Sequence, residues 1–216
     1  MFTVKEAIKN RRSIRDFLSE AIPDEIVDEL LEAARLAPSA GNLQPWRFLI
    51  VRDEERRRAL QEAAYQPFIH KAPLVFICCA DLFAFFKNNR KERLQELVDC
   101  DVVAISNLEE HLEKFPGIGV FDSKENSYKA LGQAMLNVAI AIEHIVLLAT
   151  SIGLGTCWVQ RINCKRIKQS FRLPDNIIVI ALLLIGYTKS KPPQRPRFSK
   201  EQILLDKINL TIKKEK

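Results

Sequence analysis

Apolar positions along this chain of 216 residues fall into three patterns, and each predicts a different element. Recurrence every three or four residues predicts helices with a buried stripe. Ile26, Val27, Leu30, Leu31, Ala34 and Ala37 recur in this way. Pro23-Asp24-Glu25 opens that helix, because proline suits a first turn and acids suit its positive end; Pro38 closes it. Residues 3–11 predict a shorter helix before it, residues 53–65 a charged surface helix, and residues 164–171 a short basic one. Residues 127–151 predict the longest helix. Leu131, Ala134, Val138, Ile142 and Val146 cover more than one stripe, as in a helix buried in a core or against another subunit. Continuous apolar runs at residues 74–80 and 177–185 predict strands covered on both faces, with further strands at residues 46–51 and 156–160. Residues 82–126 show no firm period, and from Lys189 a basic, proline-rich tail runs on without a core of its own. About five helices and four or five strands in mixed order predict a single α+β or α/β domain over residues 1–216. The tail, residues 189–216, is expected to run across a surface such as that of a partner chain.

Composition narrows the class. Apolar residues are 47% and charged residues 28%, ordinary globular usage, and seven Gly with ten Pro exclude a fibrous chain. No membrane role is expected. The run at residues 177–185 is less than half a span, and Asn137, Glu143 and His144 interrupt the longest apolar helix. Met1-Phe2-Thr3-Val4-Lys5-Glu6 carries acid and base where a signal peptide would be apolar. Five cysteines without a Cys-x-x-Cys, and three scattered histidines, predict buried thiols in a reducing cytoplasm and no metal site. The net charge of +6 favours an anionic partner, either a phosphate-bearing cofactor or a nucleic acid. No base-stacking motif or helix-turn-helix pattern supports the nucleic acid.

Four segments could carry chemistry. Arg11, Arg12 and Arg15 around Ser13 offer planar forks and a hydroxyl to a phosphate, or form a solvated helix end. Pro38 to Trp46 combines small residues with Asn42 and Gln44, suited to gripping a heteroaromatic edge or to a plain polar connection. Gly153-Leu154-Gly155-Thr156 follows a helix and precedes a strand, so it reads as a helix cap rather than a dinucleotide fingerprint. Arg195 and Arg197, stiffened by Pro196, form either a second basic arm or an exposed tail. His144 reads as a satisfied core histidine. Gly-x-Ser-x-Gly, His-Glu-x-x-His and P-loop motifs are missing, so an enzyme here would rely on a cofactor for its hard step.

Taken in order, these segments resemble the nitroreductase superfamily of FMN-dependent oxidoreductases. The resemblance rests on Arg11-Arg12-Ser13-Ile14-Arg15-Asp16-Phe17, on residues 33–46 with Pro38-Ser39-Ala40-Gly41-Asn42, on Gly153 to Trp158, and on Ile185-Gly186-Tyr187 with its basic sequel. It implies an α+β sandwich with a central mixed, mostly antiparallel sheet flanked by helices. It also implies an intertwined homodimer with FMN at the interface. Arg11, Arg12, Ser13 and Arg15 would meet the phosphate and ribityl chain, and Arg195 and Arg197 would close over the phosphate. Pro38, Ser39 and Ala40 would line the flavin ring, Asn42 would reach it from the other subunit, and Gln44 would assist. Leu154, Gly155 and Thr156 would present backbone to the ring. Residues 82–126 would form a variable substrate roof, with Phe83, Phe85, Phe86, Phe115 and Phe121 for an aromatic substrate or for simple core packing. The implied activity is ping-pong transfer of hydride from NADH or NADPH, through flavin N5, to a nitroaromatic, quinone or similar small-molecule acceptor. Two rivals stay open: a different flavin reaction (dehalogenation, dehydrogenation or flavin fragmentation) and a non-enzymatic nucleic-acid-binding protein.

Overall fold

The computed structural model describes residues 1–114 and 124–205. Phe115, Phe121 and the lysine-rich end lie outside the described residues. Four antiparallel strands, β1 (Trp46–Val51), β2 (Leu74–Asp81), β3 (Gly155–Val159) and β4 (Ile177–Gly186), form a sheet in the order β1-β2-β4-β3. The two continuous apolar runs are the central strands. Both faces of the sheet are covered, so neither strand shows the alternation of a half-buried one.

Within β2, side chains alternate between two cores. Leu74, Phe76, Cys78 and Ala80 enter one; Val75, Ile77 and Cys79 enter the other. Register against β4 shifts between Cys78 and Cys79, which pair with Ala181 and Val179 and leave Ile180 as the extra residue. The bulge puts Ile180 and Ala181 on the same face. The first core is capped by α2 (Asp24–Arg35) and α6 (Lys124–Ser151), the second by α3 (Glu54–Ala64) and α7 (Cys164–Ser170).

Helix α1 (Val4–Asn10) packs on α6 and starts with a capping box between Thr3 and Glu6. Accepting the Thr3 hydrogen bonds holds the Glu6 carboxyl below its usual range. Helix α6 is long and apolar enough to cross a membrane, but half of that stretch is buried within the protein. It ends in a Schellman turn: Leu154 N–H bonds the Ala149 carbonyl at 2.8 Å, Gly153 N–H bonds Thr150 at 3.2 Å, and Gly153 has φ 89°.

The described residues of 82–126 differ from the irregular stretch that the sequence predicts. They contain a 3-10 turn (Leu82–Phe85), α4 (Lys87–Asp99) and α5 (Leu108–Lys114). No residue of α4 is buried. A helix with so little to bury leaves no apolar period to read; pairs such as Arg93–Glu96 at 2.8 Å support it instead. The tail runs extended from Lys189 to a single turn, α8 (Lys200–Ile203).

Candidate functional site

Beyond α1 the chain turns out at Arg11 (φ −54°, ψ 130°) and runs alongside the sheet. Arg12 helps make this exit: its Nη1 donates to the carbonyls of Lys9 and Arg11, each at 2.8 Å. Ser13 then forms a parallel bridge with Thr156, and Ile14 N–H bonds the Thr156 carbonyl at 2.8 Å. Residues 13–15 thus cover the open edge of β3. Further on, Phe17 bridges Thr188, and Leu18 N–H reaches the Tyr187 carbonyl at 2.9 Å.

Two glycines make this seat. Gly155 and Gly186 are cross-strand partners. A Cβ on Gly155 would lie 2.7 Å from Ile14 Cγ1; one on Gly186 would lie 2.7 Å from Pro73 Cδ and 2.9 Å from Phe17. The glycines of the two late motifs therefore admit the early basic motif.

The tail returns to the same place. Lys191 Nζ donates to Asn10 Oδ1 at 2.9 Å, at the end of α1. A cleft of about 290 Å³ opens between the two segments, lined by Arg11, Arg12, Ser13 and Arg15 on one side and Arg195 and Arg197 on the other. Among the described residues, with Lys9, the cleft has six cationic side chains and a single acid, Glu143 of α6. The Arg12 Nε–H is buried and has no acceptor. Cys157 registers the convergence independently: burial pushes its thiol up, while Arg15 and Arg195 both pull it down.

The Pro38–Gln44 loop lies elsewhere. Ser39 Oγ accepts from Gln44 N–H at 3.0 Å, Ala40 N–H bonds Asn137 Oδ1 at 3.2 Å, and Gln44 Nε2 donates to the Asn42 carbonyl at 3.3 Å. Gly41, Asn42 and Gln44 have φ of 58°, 53° and 46°, a conformation disfavoured for a glutamine and held here by those bonds. Beside the loop lies a cavity of about 190 Å³ lined by Ala40, Gly41 and Leu43 with Phe85, Arg90, Leu94 and Gln133. Burial lowers the pKa of Arg90. On α6, Asn137 stands six to ten residues from the cleft residues Glu143 and Leu147, about 9–15 Å along the axis.

Residues 8–187 match the model of the nitroreductase family. The chain belongs to that family. A relative named NADH dehydrogenase from Thermus thermophilus is 30% identical over 208 residues, covering 93% of this chain and 94% of its own. One named FMN reductase [NAD(P)H] from Bacillus subtilis is 28% identical over 206 residues, covering 94% of this chain and 73% of its own. The crystal structure of a nitroreductase-like protein from Streptococcus mutans superposes with a TM-score of 0.79 at 21% identity, over 93% of this chain and 96% of that one. The α+β fold of the nitroreductase family is therefore established for this chain, with an antiparallel sheet and one parallel bridge at its edge.

Of the residues singled out in the sequence, this nitroreductase-family chain gathers Arg11, Arg12, Ser13, Arg15, Arg195 and Arg197 in one cleft. It does not bring Pro38, Ser39, Ala40, Asn42 or Gln44 into that cleft. Gly155 and Thr156 are buried behind the Ser13–Arg15 segment, the Thr156 carbonyl is already committed to Ile14, and Leu154 is buried in the first core instead. Of the aromatics, Phe85 is buried, whereas Phe83 and Phe86 are exposed with ring centroids 4.9 Å apart. His144 is half-buried, its Nδ1 3.2 Å from the Ala33 carbonyl. Sequence reading missed Glu143, Leu147 and Asn137 as site residues. Two of them were visible only as polar interruptions of an apolar helix.

Proposed function

We propose that the basic cleft holds the phosphate of FMN, and that the flavin carries reducing equivalents from NADH or NADPH to a nitroaromatic, quinone or similar acceptor. Membership of the nitroreductase family and the names of the relatives support an FMN-dependent NAD(P)H oxidoreductase. The single observation that carries the site is the convergence of two arginine segments, about 180 residues apart in sequence, on one cleft.

The residues present fit the group. A phosphomonoester needs several charge-assisted donors, and this cleft offers guanidinium groups from both segments and the Ser13 hydroxyl. Bound FMN would supply a reversible hydride acceptor, chemistry that no side chain here provides. Arg11, Arg12, Ser13 and Arg15 hold the phosphate and ribityl chain, and Arg195 and Arg197 close over them from the tail. Gly155 and Thr156 seat the Ser13–Arg15 segment and form the wall behind it.

Pro38, Ser39, Ala40, Asn42 and Gln44 belong to the ring site of a second copy. Their distance from the cleft within one chain fits a site completed by dimerisation. Exposed apolar residues on α6 (Tyr128, Met135, Leu136) and on α1 (Val4, Ile8) supply a surface for that pairing. The described part of the 82–126 segment, residues 82–114, forms the substrate roof, Phe85 and Leu94 lining the cavity beside the loop. Donor and acceptor use the same face in turn, a ping-pong cycle. Free thiols at Cys78, Cys79 and Cys157, all buried, suit a reducing cytoplasm.

The visible spectrum of the purified protein tests this reading. A flavin spectrum that bleaches anaerobically with NADH or NADPH, and recovers with nitrofurazone or a quinone, is expected. Bound flavin that neither donor reduces would favour a different flavin reaction. A colourless protein that takes up no FMN and binds DNA with a steep salt slope would favour the nucleic-acid alternative.

A further inference from the structure

A site for an anion has no need of an acid, yet Glu143 lines the cleft among six cationic side chains. It stands on α6 one turn before Leu147, which lines the same cleft. Its side chain is half-buried, and among the described residues it forms no ion pair within 4 Å. The charged groups that line the cleft with it are Lys9 at the end of α1, Arg11, Arg12 and Arg15 beyond it, and Arg195 and Arg197 from the tail; of these, Arg11 acts on the carboxyl directly. His144, its neighbour on α6, is turned to the Ala33 carbonyl instead.

We propose that the Glu143 carboxyl sets the affinity of this cleft for a phosphomonoester dianion, opposing it when ionised and relaxing that opposition when protonated. The inference rests on the FMN reading above. It adds a residue that works against binding, so that cofactor affinity depends on pH.

The physical sign is fixed by like charges. Burial already raises the Glu143 pKa, and Arg11 only partly offsets this. A dianion arriving in the cleft disfavours the carboxylate further, so binding takes up a fraction of a proton. The carboxyl is then more protonated with ligand bound than without. Affinity is fullest below the free-cleft pKa and declines as pH rises through the bound one. The second ionisation of the phosphate, near pH 6, acts the opposite way. Only the difference between proteins at each pH isolates Glu143.

The test is a fluorescence titration of the full-length protein with FMN between pH 5 and pH 8.5, for the wild type, Glu143→Gln and Glu143→Asp. The expected ratio of wild-type to Glu143→Gln Kd falls towards one as the pH is lowered. At the basic end it rises to about tenfold, the equivalent of a one-unit pKa displacement on binding. Glu143→Asp keeps the charge and follows the wild type. With riboflavin, which lacks the phosphate, the wild type and Glu143→Gln bind alike. A flat ratio near one, a Glu143→Gln variant that binds FMN more weakly at every pH, or an equal change with riboflavin each overturns the role of Glu143 while leaving FMN binding intact. No FMN binding by the wild type overturns the FMN reading and this inference with it. Melting curves report folding, and Glu143→Ala replaces the glutamine variant if that variant does not fold.

Discussion

The basic cleft and the Pro38–Gln44 loop are built on opposite principles. The loop is local. Two hydrogen bonds made by its own side chains and three positive φ angles shape it within seven residues, and Asn137 tethers it from α6. The cleft is assembled from the first 15 residues, the last third of α6 and residues 192–197. Its arginines are half-buried or exposed, and what positions them is backbone pairing: Ile14 on Thr156, Leu18 on Tyr187. A loop fixed by its own turns tolerates change elsewhere. A charge cluster made from distant segments depends on every contact that seats them.

That contrast can be broken or sharpened experimentally. The largest effect is expected from removing one guanidinium on each side of the cleft, Arg15→Ala with Arg197→Ala. Two lost charge-assisted bonds of about 1.5–3 kcal/mol each should lower FMN affinity by about a hundredfold or more, read by equilibrium dialysis. Unchanged affinity would separate these arginines from the phosphate. Gly155→Val comes next, without touching any charge. Its Cβ would strike the Ile14 stem, and overpacking of about 1–3 kcal/mol should lower both the melting temperature and FMN affinity. A loss of stability with full affinity would show that the 13–18 segment does not need this seat.

Asn137→Ala tests the loop. It leaves the Ala40 N–H without its acceptor, a cost of about 1–3 kcal/mol where the group is buried and less here, because Ala40 is exposed. The rate of flavin reduction in stopped flow should fall severalfold while FMN affinity changes little. Equal losses in both would mean that loop and cleft are one unit even within a chain. Gly132→Ala should produce the smallest shift and in the other direction. A Cβ at that helix position meets nothing within 4 Å, so the melting free energy should rise by about 0.5–1 kcal/mol.

Thiol chemistry gives an independent check on burial behind the cleft. Desolvation pushes the Cys79 thiol up to about 12 and raises Cys78 and Cys157. Burial disfavours the thiolate at each of these positions, so native-state alkylation should label exposed Cys100 first and Cys164 after it, because burial also raises the Cys164 thiol, which donates to the Val179 carbonyl at 3.4 Å. Early labelling of Cys157, counted by mass spectrometry, would mean that the wall beneath the arginines opens.

Strands were legible in proportion to how completely they are buried. The runs at residues 74–80 and 177–185 announced β2 and β4 because both faces of each are covered, leaving every position apolar. Helix α2 was legible from its stripe and α4 was not, since a helix that buries nothing carries no period. The bulge at Ile180 could not be foreseen: it depends on the strand opposite, not on its own residues. Glu143 and Asn137 showed only as breaks in an apolar helix. Which of their neighbours they met was a matter of packing between elements more than 50 residues apart.

Residue order alone fixed the inventory of the site: three arginines and a serine near the start, two arginines in a stiff tail, and a small-residue loop with amides between. Periodicity and turn residues are local properties, and those pieces are local. Only the folded chain decided that the two basic segments share a cleft, that Gly155 and Gly186 are the seat for the first of them, that an acid stands among the cations, and that the amide loop faces elsewhere. Each of those facts is a distance between segments remote in sequence. Such distances are set by sheet order and helix packing, and no window of neighbouring residues contains them.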